Sequence, residues 1–81
     1  MKPIKEGVKE FIMQEFLQNE DPEQLTDDTP LIAGGVLDSL ATLKLVSFLE
    51  ESYGISVAPH ETDEENFGTI ADIERLVQSK I

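Results

Sequence analysis

Apolar residues recur near the start of the chain at Ile4, Val8, Phe11, Ile12 and Phe16, the spacing of one helical face. This predicts a first helix from Pro3 to about Gln18, with Pro3 suited to the first turn, where a missing N–H costs nothing. Lys2, Lys5 and Lys9 fall on the opposite face among Glu6, Glu10 and Glu15, while Met13 and Leu17 flank the stripe as core-edge contacts. Gly7 weakens this helix slightly. From Asn19 to Val36 the pattern breaks into turn formers, Asn19-Glu20-Asp21-Pro22, Thr26-Asp27-Asp28-Thr29-Pro30 and Gly34-Gly35, which predict a long loop with one short helical turn at Pro22 to Leu25. Such a loop needs anchors in a small domain, and Leu25, Leu31, Ile32, Val36 and Leu37 are available to pack inward.

The second helix is predicted from Ser39 to Tyr53, with Asp38 as a preferred N-cap type and Gly54 as its stop. Apolar residues along it recur at Leu40, Leu43, Val46, Leu49 and Tyr53. Leu40, Ala41, Leu43, Leu45, Val46, Phe48 and Leu49 together are more than one face can bury. Either the helix is central and covered on two sides, or Leu40 and Leu43 form an exposed patch for partner proteins; both can hold. Ile55-Ser56-Val57-Ala58-Pro59 reads as a short extended connection, and His60 to Glu65 as a short helical turn with Glu61, Asp63, Glu64 and Glu65 solvated and Phe67 as anchor. Thr69-Ile70-Ala71-Asp72 resembles a capping box opening a last helix from Ile70 to about Ser79, with Ile70, Ile73, Leu76 and Val77 facing the core. The expectation is an all-α fold, a small four-helix bundle of three main helices and one short one, with a long loop between helices one and two.

Length changes the picture by limiting it. At 81 residues the chain holds one domain, residues 1–81, and a modest core, so a large enclosed active site is not expected. Seventeen acidic residues against six basic ones leave a formal charge of −11, which disfavours polyanionic partners, nucleic acid or an anionic membrane, and favours basic protein surfaces. With no cysteine there is no disulfide, no thiolate metal site and no protein thiol, so any thioester chemistry must take its sulfur from a cofactor. The start of the chain is charged and no apolar run nears the roughly 18 residues a bilayer span needs, so a cytoplasmic monomer is expected.

The candidate chemistry lies at Ser39. Its hydroxyl sits on the first turn of a helix, where the leading N–H groups have no intrahelical partner and the macrodipole is positive, a place where an attached phosphate would be stabilised. A serine hydrolase would need a base, and His60, the lone histidine, is remote in sequence and lies in an acidic loop. Asp27-Asp28 and Asp63-Glu64-Glu65 lack the alternating ligands, central glycine and closing glutamate of a calcium loop, and read as solvated surface. No phosphate-binding loop, dinucleotide fingerprint or repeat is present, and no catalysis by the chain itself is expected.

Leu37-Asp38-Ser39-Leu40 after a Gly-containing loop, followed by a helix ending in Leu49-Glu50-Glu51-Ser52-Tyr53-Gly54-Ile55, closely resembles the attachment site of acyl and peptidyl carrier proteins. The resemblance extends over nearly the whole chain in length, helix order and acidity. It implies 4′-phosphopantetheine carried covalently on Ser39, with Asp38 capping the helix and helping a phosphopantetheinyl transferase orient its metal and serine, and Leu40 giving that enzyme an apolar contact. It also implies an acyl- or aminoacyl-activating ligase and downstream transferases as partners. Docking would use Leu43, Glu50 and Glu51, with the acids near Glu61 to Glu65, against Lys or Arg surfaces.

Ala41 and Lys44 stand where fatty-acid carriers usually place acidic residues, which weakens the case for recognition by fatty-acid synthase enzymes. Glu65-Asn66-Phe67-Gly68-Thr69 looks more like aminoacyl, peptidyl or specialised stand-alone carriers. The function implied is an acyl carrier serving fatty-acid-like, polyketide or non-ribosomal-peptide-like biosynthesis. A cofactor-free acidic adaptor for a basic partner is the competing class, and a calcium-responsive protein a third.

Overall fold

A computed structural model describes residues 3–18 and 20–81. Lys2, assigned above to the polar face of the first helix, and Asn19, assigned to the start of the loop, lie outside the described residues. Four α-helices follow in order: α1 (Ile4–Phe16), α2 (Ser39–Tyr53), α3 (Glu64–Phe67) and α4 (Ile70–Gln78). Short 3-10 turns occupy Pro22–Gln24 and Pro59–Glu61, and no strand is formed among the described residues. The all-α reading of three main helices and one short one therefore holds.

Helix α1 buries Val8 and Ile12 fully, with Ile4, Phe11, Met13, Phe16 and Leu17 half-covered around them. It is shorter than the apolar pattern suggests: after Phe16 the Leu17 N–H turns back to the carbonyls of both Ile12 and Met13. The stripe continues past the point where the backbone stops being helical, because Leu17 still packs on the core from the first non-helical position. Lys5 does more than face solvent. Its ammonium lies 3.0 Å from Asp27 on the loop and 3.7 Å from Glu74 on α4, so it joins three segments.

The long loop is anchored as its apolar residues predict: Leu25, Leu31 and Leu37 are buried, and Ile32 and Val36 are packed against the core. Its backbone is tied down as well. Asp27 O accepts from Ala71 N–H at 3.1 Å, and Leu31 O accepts from the N–H groups of Val36 and Leu37 at 2.8 and 3.0 Å. These bonds satisfy backbone groups of a segment that carries no α-helix among its described residues, which is why so long a loop can be held in place.

Around the short helix two readings need correction. The predicted turn over His60 to Glu65 divides into a 3-10 turn ending at Glu61 and α3 beginning at Glu64. The acids there are not all merely solvated. Asp63 caps α3 by accepting Asn66 N–H at 3.1 Å, and Glu61 accepts Ala58 N–H at 2.9 Å while pairing with Lys80 at 2.9 Å. Phe67 is fully buried, as its anchoring role requires. Thr69 caps α4 through a 3.1 Å bond from Asp72 N–H, but the Asp72 carboxylate pairs with Arg75 at 2.9 Å. Ile70, Ile73, Leu76 and Val77 form the buried face of α4.

The buried side chains form one cluster. The seam between α1 and α2 is aromatic, with Phe11 and Phe48 stacked at a centroid distance of 4.4 Å and Phe48 edge-on to Tyr53 at 6.4 Å. Burial raises the Tyr53 phenol above its ordinary value.

Candidate functional site

The start of α2 is built by its cap. Asp38 has extended backbone angles and its Oδ1 accepts Ala41 N–H at 2.8 Å, while its carbonyl accepts Thr42 N–H at 2.9 Å. These two bonds satisfy the amides at positions 41 and 42. The Ser39 and Leu40 amides precede the first intrahelical bond and stay open at the exposed helix mouth. Ser39 itself is exposed on the first turn. At the far end Gly54 adopts a left-handed conformation, φ 66°, and its N–H closes on Glu50 O at 3.0 Å.

Which apolar residues of α2 face inward is now resolved. Ala41, Leu45 and Leu49 are buried, a row four residues apart that points at the core. Leu40 and Leu43 are each 64% exposed, and with Lys44 and Ser47 they make up the outer face next to Ser39. The surplus apolar content of this helix is therefore divided, one row inward and one pair outward.

Ser39 borders a cleft of about 640 Å³. One wall is α2, through Asp38, Ser39, Thr42, Leu43 and Val46; the loop supplies Ile32 and Leu37; the connection after α2 supplies Val57, Pro59 and Thr62. Most of this lining is apolar. Asp38 also belongs to a smaller groove of about 320 Å³ on the other flank, with Glu15, Phe16, Val36, Leu40, Ala41 and Lys44. Ser39 thus stands at the rim of an apolar cleft, with open helix amides beside it. An exposed hydroxyl, a positive helix end and an adjoining apolar trough fit a phosphodiester-linked arm that carries an acyl group.

The other predicted site residues are dispersed. Glu51 is exposed at the far end of α2, about 18 Å along the helix from Ser39 at 1.5 Å per residue. Glu50 is half-buried and its Oε2 accepts Val57 N–H at 2.9 Å, so one of its oxygens is committed within the chain. His60 is exposed on the turn that carries Pro59 to the cleft, closer to the site than its place in the chain suggests, but it does not line the cleft. Sequence reasoning does not mark Val57, Pro59 and Thr62 for the site. Nothing local marks them, because they reach Ser39 only through the tertiary fold. The Glu61 carboxylate beside them is held below its ordinary value, first by the Ala58 N–H bond and then by Lys80.

Among the described residues no helix is long and apolar enough to cross a membrane. Residues 10–77 match the protein family described as "Phosphopantetheine attachment site". The chain is 34% identical, over 83% of its own length and 76% of the relative's, to a probable acyl carrier protein, PigG, of Serratia sp.. It is 26% identical to the acyl carrier protein of Wolinella succinogenes, over 94% of this chain and 95% of that one. It is 38% identical, over 65% of this chain and 67% of the relative, to the D-alanyl carrier protein of Lactococcus lactis. Its fold is similar, at a TM-score of 0.79 and 30% identity covering 86% of this chain and 97% of the other, to a chain of a solved structure described as a crystal structure of FAD-dependent dehydrogenase. With the family match spanning most of its length, this chain belongs to the phosphopantetheine-binding carrier proteins and is a non-catalytic carrier.

Proposed function

We propose that Ser39 is the residue that carries phosphopantetheine. The observation that bears the proposal is its position: an exposed hydroxyl on the first turn of α2, at the rim of the apolar cleft, behind an Asp38 cap that leaves the Ser39 and Leu40 amides open. A phosphopantetheinyl transferase forms the bond from Ser39 Oγ to phosphorus, the pyrophosphate linkage of coenzyme A breaks, and adenosine 3′,5′-bisphosphate leaves with the serine proton passing to a base of the transferase. The bound group supplies a thiol on a long arm, to which an acyl or aminoacyl cargo is joined as a thioester. The chain's own residues do the rest: the helix end stabilises the phosphodiester, and Leu40 and Leu43 give partner enzymes an apolar contact next to it. Tethering raises the local concentration of cargo at each docked enzyme.

The relatives' names support two cargo classes, acyl and D-alanyl, and the absence of carboxylates on α2 between Ser39 and Leu49 favours a specialised or aminoacyl carrier over the fatty-acid synthase type. Partners in this reading are an acyl- or aminoacyl-activating ligase and downstream transferases. The description attached to the structural neighbour adds a flavin-dependent dehydrogenase as a candidate downstream enzyme. Glu50, Glu51 and the acids near Asp63 offer negative charge to basic partner surfaces, and this part of docking weakens with salt. Residues 1–81 act as one carrier domain.

Intact mass after incubation with coenzyme A, magnesium and a broad-specificity phosphopantetheinyl transferase tests the assignment. The native chain gains one phosphopantetheinyl group and Ser39→Ala gains none. A gain that survives Ser39→Ala assigns the group to another residue, and no gain with several transferases removes the attachment reading.

A further inference from the structure

The cleft beside Ser39 has a wall that no helix packing provides. The main helix packings are α1 on α4, α3 on α4 and α1 on α2, and the strap leading from α2 to α3 is seated on the core through Val57 and Ile55 and fixed further by hydrogen bonds. The strap is extended backbone with one three-residue 3-10 turn, a structure too short to maintain itself. Two adjacent backbone amides anchor it. Val57 N–H donates to Glu50 Oε2 on α2 at 2.9 Å, and Ala58 N–H donates to Glu61 Oε1 at 2.9 Å. The same Glu61 oxygen receives the ammonium of Lys80, beyond the end of α4, at 2.9 Å. That ion pair is the most enclosed of those among the described residues, with side chains 24% and 20% exposed. Charge-assisted bonds of this kind are stronger than neutral ones, and this pair links the strap to the end of α4.

We infer that Glu50 and the Lys80–Glu61 pair are positioning residues: they clamp the Val57 and Ala58 amides and thereby set the width of the cleft beside Ser39. Val57, Pro59 and Thr62 are the strap's share of the cleft lining, which they complete together with Val46 and the other α2 residues. Cargo on Ser39 meets this wall, so the purpose of the clamps rests on Ser39 as the attachment residue; the clamps themselves exist in the unmodified chain. Lys80, at the end of α4, thus governs how well an apolar cargo is sheltered at the start of α2.

Amide hydrogen exchange, read residue by residue by NMR on the unmodified chain, tests the clamp with Lys80→Met, which keeps the apolar stem, and Lys80→Arg, which keeps the charge. Ala58 exchanges several-fold faster in Lys80→Met while amides in α1 and α2 keep their rates, and Lys80→Arg restores most of the protection. An unchanged Ala58 rate, or a rise spread evenly over the chain, overturns the clamp. The shelter is tested by loading octanoyl-phosphopantetheine from octanoyl-coenzyme A and cleaving the thioester with hydroxylamine. Several-fold faster cleavage in Lys80→Met than in the native chain supports the role toward cargo, and equal rates overturn it. A chain that takes no mass at Ser39 fails the attachment reading, while the exchange result still decides the clamp.

Discussion

The backbone N–H of Leu31 donates to the carbonyl oxygen of Gly68 at 2.8 Å, tying the loop before Ser39 to the junction between α3 and α4. Gly68 is buried, and a Cβ added there would press on the carbonyl oxygen of Glu64, a backbone atom with little room to give, and meet Asp72 Oδ2 at 3.3 Å. The junction has to shift for any side chain to fit. Gly68→Ala is therefore expected to lower stability by about 1–3 kcal/mol, the usual range for overpacking, measured by urea unfolding. An unchanged midpoint would mean that the junction yields freely.

Two leucines of α2 separate stability from docking. Leu45 is fully buried and Leu43 is 64% exposed. Leu45→Ala should cost about 2–5 kcal/mol, whereas Leu43→Ala should stay within about 0.5 kcal/mol of the native chain. In transferase assays the order reverses: Leu43→Ala slows modification of Ser39, while whatever fraction of Leu45→Ala remains folded is modified normally.

Asp38 has a structural role in its bond to Ala41 N–H and a proposed one toward the transferase. Asp38→Ala should lose about 1 kcal/mol of stability by removing the cap, and Asp38→Asn should keep most of it. The two roles part in Asp38→Asn. A chain as stable as native but modified much more slowly shows that the carboxylate acts in the transfer, and native rates would limit Asp38 to capping.

Glu61, held down first by the Ala58 N–H bond and then by Lys80, and Lys5, held up by Asp27, set opposite pH dependences. Glu61 titrates below its ordinary value of 4.5, so its contribution is fully present above that value and is lost as pH falls through the lowered one. Lys5 titrates above 10.5, chiefly through its hydrogen bond to Asp27, so its contribution is present below 10.5 and is lost as pH rises through the raised value. Melting temperatures of native chain and Glu61→Gln should converge on acidification below 4.5, and those of native chain and Lys5→Met on the alkaline side above 10.5. Differences independent of pH would show that the charges contribute nothing.

Much of this molecule is written locally. Asp38 before Ser39, Thr69 before Ile70 and Gly54 after Tyr53 mark the ends of helices with residue types whose hydrogen bonds span only three or four positions, and each makes the bond its type predicts. The faces of α1 and α4 are legible because their apolar residues are confined to one side. The position of Ser39 at a helix mouth follows from the same short-range signals, and so does the Leu37-Asp38-Ser39-Leu40 motif that carries the family resemblance.

Helix α2 shows where that reading stops. Its apolar residues surround it, so periodicity cannot say that Ala41, Leu45 and Leu49 turn inward while Leu40 and Leu43 turn out; only the packing of α1 against it, through Phe11 and Phe48, selects the face. The cleft wall is further still from the sequence. Glu61 reads as one more solvated acid until the end of α4 brings Lys80 to it, and Val57 and Pro59 acquire a place beside Ser39 only when the strap folds back. Caps and turns depend on bonds between near neighbours in the chain. The choice of buried face, the clamped strap and the Leu31–Gly68 tie depend on groups far apart in the chain that only the assembled core holds together.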